Sequence, residues 1–347
     1  MLTKIGLDLG YANITLSDVM AEIYREPSVA LVYKTARPDA RRIISVGNDA
    51  VNMSGDTPGT EEGILVRPFK NGILFDKQLT QEIIANAVKA VQPAERIRCI
   101  IGVPSDLLPK QEKDIFSMLA EAGVDAALSV ARPVAAIIGS GYSPMMSVIS
   151  VNIGAQSTEI AVMHQGEVVY MSRTMIGGED FDQAVRQYIL DQGDVNISLQ
   201  VARAIKERLG AVWKGKENET IDIEGTLSLT GNRLKMSVST EDIVGVFEEP
   251  LKKIINAIIE AIKKVPSDMY AGISENGIVL TGGGAELFGI ELLLEKVLGI
   301  SVTKPADAMD AVAKGLSRIN SFLPSKLRIN NKNITDQVSK FYQGTKK

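Results

Sequence analysis

"ISVNIGAQSTEIAV", Ile149–Val162, reads as a buried strand, a glycine turn and a second strand. A stretch of the same form opens the chain, "IGLDLGYANITLS", Ile5–Ser17. In each, a polar residue stands two before the glycine: Asp8 before Gly10 and Asn152 before Gly154. The spacing of roughly 140 residues is too long for a solenoid and predicts an internal duplication. Two similar α/β lobes facing each other would create a cleft lined by both turns. A turn of this kind can cradle phosphate, but Ala155 and Gln156 stand where a close backbone approach favours Gly. An ordinary hairpin is the alternative at this point.

The bulk composition narrows the classes. At 347 residues the chain exceeds one usual core, so two domains or one bilobal unit are expected. Hydrophobic residues make up 45% and charged residues 23%, with a net charge of −4. No basic excess is there to neutralise nucleic-acid phosphates, so nucleic acid is not expected as a partner. Cys99 is the single cysteine, which excludes an intrachain disulfide. His164 is the single histidine, so a Ser-His-Asp triad or a His-based metal site fails on inventory. No apolar run approaches the roughly 20 residues of a membrane span, and the start enters a strand without a signal peptide. The expectation is a soluble cytoplasmic protein.

Turn signals crowd the stretch between Pro27 and Pro68, as in Arg37-Pro38-Asp39 and Thr57-Pro58-Gly59, and predict a small exposed subdomain. Helical spacing runs from Leu79 to Val91, a strand from Ile97 to Val103, and a helix from Lys110 to Ala122 with Gly123 placed to end it. After the second strand pair come a helix from Glu179, one from about Leu199 to Trp213, a two-stranded segment over 221–238, and a helix from Asp242 to Lys264. "NGIVLTGGGAEL", Asn276–Leu287, is the strongest single signal. Its strand runs into Gly282, Gly283 and Gly284 and then a helix, an arrangement that lets backbone pass close to a bound group and turns free N–H groups toward an anion. A plain tight turn is the other reading.

Together with "REPSVA" (Arg25–Ala30), "RPFKNGILFD" (Arg67–Asp76), "IGVPS" (Ile101–Ser105) and "IGGEDFDQAV" (Ile176–Val185), these motifs resemble the bacterial actin family MreB, from about residue 4 to 320. The resemblance implies an actin-like bilobal fold of two duplicated ribonuclease-H-like domains around a central nucleotide cleft. Lobe I would be 1–145, with its small subdomain at about 28–68; lobe II would be 146–324, with its subdomain at about 180–248; and 325–347 would be a basic tail, flexible or an appended helix. The resemblance further implies ATP or ADP as ligand. Asp8, Gly10, Tyr11, Ala12 and Asn13 would form the first phosphate loop, with Asp8 holding Mg²⁺ through water. Asn152, Gly154, Ala155, Gln156, Ser157 and Thr158 would form the second, with Thr158 near the chemistry. Gly282, Gly283 and Gly284 would pack on the adenosine, and Lys206 and Glu207 would meet base and ribose.

The departures from that pattern bear on catalysis. The family expects Asp at 152 and a Gly-Gly-Thr-Thr-Glu run after it; Asn152 keeps the shape but loses the charge that orients a hydrated cation. Tyr11 replaces the usual Thr. In "SVARPVAAIIG", Ser129–Gly139, Arg132 takes the place of the Glu that orients the attacking water. A cation cannot accept a proton, so very weak or absent ATPase activity is expected, each change costing a factor of roughly 10 to 1,000. Arg132 could pair with a phosphate or point to solvent.

The leading functional expectation is a homopolymeric cytoskeletal filament serving cell shape or internal organisation. A non-hydrolysing scaffold co-assembling with an active paralogue is the alternative, as is an organelle- or plasmid-positioning filament. A sugar or acetate kinase fits less well, because the insert from Gly178 to Glu248 is short. The tail, with Ile334, Val338, Phe341 and Tyr342, could make weak membrane contact.

Overall fold

In the computed structural model, residues 2–33, 42–55, 63–70, 73–324 and 331–344 are described. The turn signals at 37–39 and 56–59 lie outside them. The chain packs as two units: Met1–Met146, Met163–Val169 and Asp310–Lys347 form one, and Ser147–Val162 with Tyr170–Met309 the other.

The first unit carries a six-stranded sheet in the order Lys332–Asn333, Ala126–Ala131, Arg96–Val103, Leu2–Leu9, Asn13–Ser17, Glu22–Pro27. The Leu2–Leu9, Arg96–Val103 and Ala126–Ala131 strands pair in parallel, and the pairs Leu2–Leu9/Asn13–Ser17 and Asn13–Ser17/Glu22–Pro27 are antiparallel. Seven consecutive residues of Arg96–Val103 are buried, as a strand covered on both faces requires. On one face lie the helices Lys77–Lys89 and Pro109–Glu121, through Ile83, Ile84, Phe116 and Leu119. The former starts at Asp76, whose side chain accepts from Leu79 N, and the latter ends before Gly123 at φ +94°.

The helices Arg132–Gly139 and Ala311–Phe322 pack on each other at Gly139 and Gly315, where an added Cβ would collide with the carbonyls of Ala311 and Ala135. Gly6 on the Leu2–Leu9 strand lets the second of these helices approach, its Cβ position lying 2.8 Å from Leu316 Cβ. Buried Arg98 holds that helix's end, donating to Asn320 Oδ1 at 2.7 Å, Pro324 O at 2.8 Å and Asn320 O at 2.9 Å. A guanidinium at carbonyls of a helix C-terminus is favourably placed. A smaller three-stranded sheet, Ile43–Val46, Ala30–Tyr33 and Gly63–Val66, carries the helix Gly47–Gly55.

The described part of the tail is built onto the first unit. Lys332–Asn333 adds a parallel edge to Ala126–Ala131, and Val338–Gly344 is helical. Ile334 and Val338, two of the residues that could make weak membrane contact, are only 3% and 1% exposed, and the Tyr342 ring packs edge-on to Phe322 at 5.2 Å. Apolar burial against the first unit wins over solvation. Among the described residues, no helix is long and apolar enough to cross a membrane.

The second unit has a five-stranded sheet in the order Glu167–Thr174, Thr158–His164, Val148–Ile153, Ile278–Thr281, Val302–Thr303, the last three parallel. Gln165 and Gly166 join the first two strands, both at positive φ, as a two-residue hairpin turn demands. The helices Gly178–Gly193 and Leu199–Leu209 follow, then a small antiparallel sheet of Val195–Asn196, Thr220–Leu227 and Arg233–Ser239. The helix expected over 242–264 is broken into Thr240–Ile243 and Glu248–Lys263, with Phe247 turned inward onto Phe181, ring centroids 5.7 Å apart.

The two opening motifs fold alike. Gly10 N donates to Asn13 O at 3.0 Å, and Gly154 N donates to Ser157 O at 2.9 Å. Each closes the turn between a strand and its partner, and each first strand then has a parallel neighbour and a second parallel strand beyond it.

Candidate functional site

The first turn is held from two sides. Ser28 Oγ donates to Gly10 O at 2.7 Å, and Ser28 N to Ala12 O at 2.9 Å. Arg67 Nη1 reaches Tyr11 O at 2.9 Å and Ala12 O at 3.1 Å while its guanidinium lies over the Tyr11 ring, 5.0 Å from the centroid. Tyr11, in place of the family's Thr, thus supplies an aromatic face for a cation. Arg67 stood in a quoted motif but had no role assigned; its signal was one basic residue far from the turn in sequence.

Asp8 sits at the end of its strand, paired with Gly102 on the neighbouring strand, which in turn pairs with Val130. Arg132 begins its helix just past that third strand, and its side chain crosses back over Gly102, whose Cβ position lies 3.4 Å from Arg132 Cγ. Arg132 Nε then donates to Asp8 Oδ1 at 3.1 Å and Nη2 to Leu9 O at 2.7 Å. The side chains are only 15% and 20% exposed. Arg132 therefore does not point to solvent. Burial pushes the Asp8 carboxyl up from its ordinary range, against the pull of Arg132 and, more weakly, of Arg25. Arg25 is itself paired with Glu22 and Asp310.

In the second unit Asn152 is buried at 6% exposure, and its Oδ1 accepts from Thr281 Oγ1 at 3.2 Å. Thr158, expected near the chemistry, is fully buried and donates its hydroxyl to Ile176 O at 2.8 Å. It is a tie between strand and loop. Ala155 and Gln156 flank the start of the helix Gly178–Gly193. Gly178 N donates to Gly154 O at 2.9 Å, Glu179 N donates to Ala155 O at 2.7 Å, and Gln156 Nε2 bonds Glu179 Oε2 at 3.0 Å. Two of that helix's orphan N–H groups are thereby satisfied by the turn. Ser157 is half-buried beside them.

Lys206 is drawn to buried Asp182, Nζ to Oδ1 at 2.6 Å, and donates to Gly178 O at 3.0 Å. Arg203 Nε takes the other carboxylate oxygen at 3.1 Å. This ion network was not read from the sequence, because Asp182 is one of three acids in "GGEDFD". Lys206 positions the loop, whereas Glu207 is exposed.

The glycine run divides. Gly282 stands at φ +84°, with a Cβ position 2.8 Å from Asn152 Oδ1, and a Cβ on Gly284 would strike Ile153. Packing against the Val148–Ile153 strand accounts for both. Gly283 has open space at its Cβ position and is exposed. The run enters a 3₁₀ turn, Gly283–Glu286, and the α-helix expected there begins only at Ile290.

The residues present do not fit a hydrated Mg²⁺. Its expected carboxylate already holds a guanidinium, Asn152 is neutral, and among the described residues no group of three His, Cys, Asp or Glu could hold a metal.

Comparison with known proteins follows the same lines. The family model MreB/Mbl protein matches residues 2–327. The cell shape-determining protein MreB of Escherichia coli (strain K12) is 32% identical over 321 residues, spanning 90% of this chain and 91% of that protein. The cell shape-determining protein Mbl of Bacillus subtilis (strain 168) is 28% identical over 319 residues, spanning 90% and 93%. Among solved structures, MreB5 of Spiroplasma citri bound to ADP superposes with a TM-score of 0.84 at 22% identity, covering 92% of this chain and 96% of that one. The MamK double helical filament gives 0.79 at 22% identity, covering 93% and 100%. The fold is actin-like.

Proposed function

The chain belongs to the MreB/Mbl family, and from that premise we propose that it is a nucleotide-binding filament subunit of the cytoskeleton, serving cell shape or internal organisation, with little or no ATP hydrolysis. The structures of MreB5 bound to ADP and of the MamK filament support the two halves of this reading for the fold. One observation carries the loss of turnover: Arg132 is committed to Asp8 and Leu9 O, so the position that would orient water holds a buried donor with no basic lone pair. In the first unit the Gly10–Asn13 turn is the candidate phosphate contact, and in the second unit the Gly154–Ser157 turn and the open backbone at Gly283 are.

Head-to-tail repetition of one heterologous interface gives an open polymer from a single species. Electron microscopy of the purified protein with ATP, with ADP and without nucleotide tests this, and filaments are expected in at least one condition. The same loss of the base favours, as a second reading, a scaffold that assembles only with an active paralogue. Absence of filaments alone, and their appearance on adding such a paralogue, would select it.

A further inference from the structure

We propose that the Arg132 guanidinium stands in for the divalent cation at Asp8, so that this protein binds ADP and ATP equally well with and without Mg²⁺. The inference rests on the nucleotide-binding reading above and concerns how that same site balances charge. Magnesium is ordinarily held through one or two carboxylates together with substrate phosphates, and it demands near-octahedral oxygen ligands. Here the carboxylate in question bonds a guanidinium at 3.1 Å. Of the two first-unit positions the family resemblance makes acidic, one is Asp8 and the other the cation Arg132, so their charges cancel without an added ion.

The arrangement is built into the backbone. Arg132 leaves the first turn of its helix, and its stem passes over the central strand where that strand has Gly102, the Cβ position there lying 3.4 Å from Arg132 Cγ, in van der Waals contact. The second anchor, Nη2 to Leu9 O at 2.7 Å, fixes the head group on the last carbonyl before the Gly10 turn. A carboxylate paired to guanidinium in this buried setting is a strong, charge-assisted contact. A hydrated dication approaching the same oxygen would have to displace that contact against like charge.

Equilibrium binding of a fluorescent ADP analogue to the full chain, in magnesium chloride and in EDTA, tests the proposal. Paramagnetic resonance of Mn²⁺ in the presence of ADP gives a readout independent of affinity. The wild-type affinities are expected to agree within about twofold, with no bound Mn²⁺ signal. Arg132→Gln frees Asp8, and its ADP affinity should gain dependence on the metal of about tenfold or more, with Mn²⁺ now bound. A wild type that loses about tenfold in EDTA, or that binds Mn²⁺ one to one with ADP, overturns the proposal. If Arg132→Gln does not fold, the wild-type comparison decides. Absence of ADP binding in both buffers would overturn the nucleotide-binding reading itself, and this inference with it.

Discussion

At residue scale the Arg132 side chain does two things at once: it neutralises Asp8, and it stands where the family pattern has the carboxylate that orients water. Its effect on the fold is testable through pH. In Arg132→Gln the burial that pushes Asp8 up acts without the opposing guanidinium, so the folded carboxyl moves further above its unfolded value of about 3.9. A raised acid favours the folded state fully below the unfolded value, and the benefit is lost as pH rises through the folded one. The variant should therefore lose more stability, relative to wild type, near pH 7 than near pH 4, by roughly 1–3 kcal/mol at neutral pH for a partly exposed pair. Urea unfolding at both pH values checks it; equal losses would remove Asp8 from the account.

Glycines at element scale separate packing from ligand contact. Gly284→Ala should cost about 2 kcal/mol or more in thermal or urea unfolding, because its Cβ would strike Ile153. Gly283→Ala should leave folding within about 0.5 kcal/mol and weaken ADP-analogue binding instead. The reverse pattern would make the run a purely structural turn. How much of these elements the chain displays in sequence follows from their periodicity. The buried parallel strand ending at Val103 and the Pro109–Glu121 helix show their apolar spacing and their Gly123 stop plainly. The Arg132–Gly139 and Ala311–Phe322 helices do not, since Gly139 and Gly315 mark an interhelical approach that only tertiary packing reveals. At the site, the identities of Asp8, Asn152 and Arg132 were legible, but the crossing over Gly102 that joins Arg132 to Asp8 was not. Nothing local in a sequence says that residue 132 folds back onto residue 8. The partner of the Thr158 hydroxyl, a carbonyl on the next loop, was not legible for the same reason.

At the scale of the whole molecule, the duplicated strand–turn–strand motifs and the family match describe one actin-like chain in which the first unit retains an acid and the second does not. Cys99, the single cysteine, lies fully buried in the first unit's core and reports on that unit. Burial pushes its thiol well up from the ordinary range, so a thiol reagent should label it at the rate of unfolding and not follow thiolate titration between about pH 7 and pH 9. Prompt native-state labelling would contradict the buried placement. By the same sign, the raised thiol contributes stability below its unfolded value of about 8.5 and loses it as pH rises further. The central claim, nucleotide held without hydrolysis, is tested most directly by one single-turnover measurement. ATP labelled at the γ-phosphate is mixed with excess protein and filaments, and free phosphate is followed against bound ATP. The label is expected to stay in bound ATP throughout; stoichiometric phosphate release from the bound complex would contradict the claim.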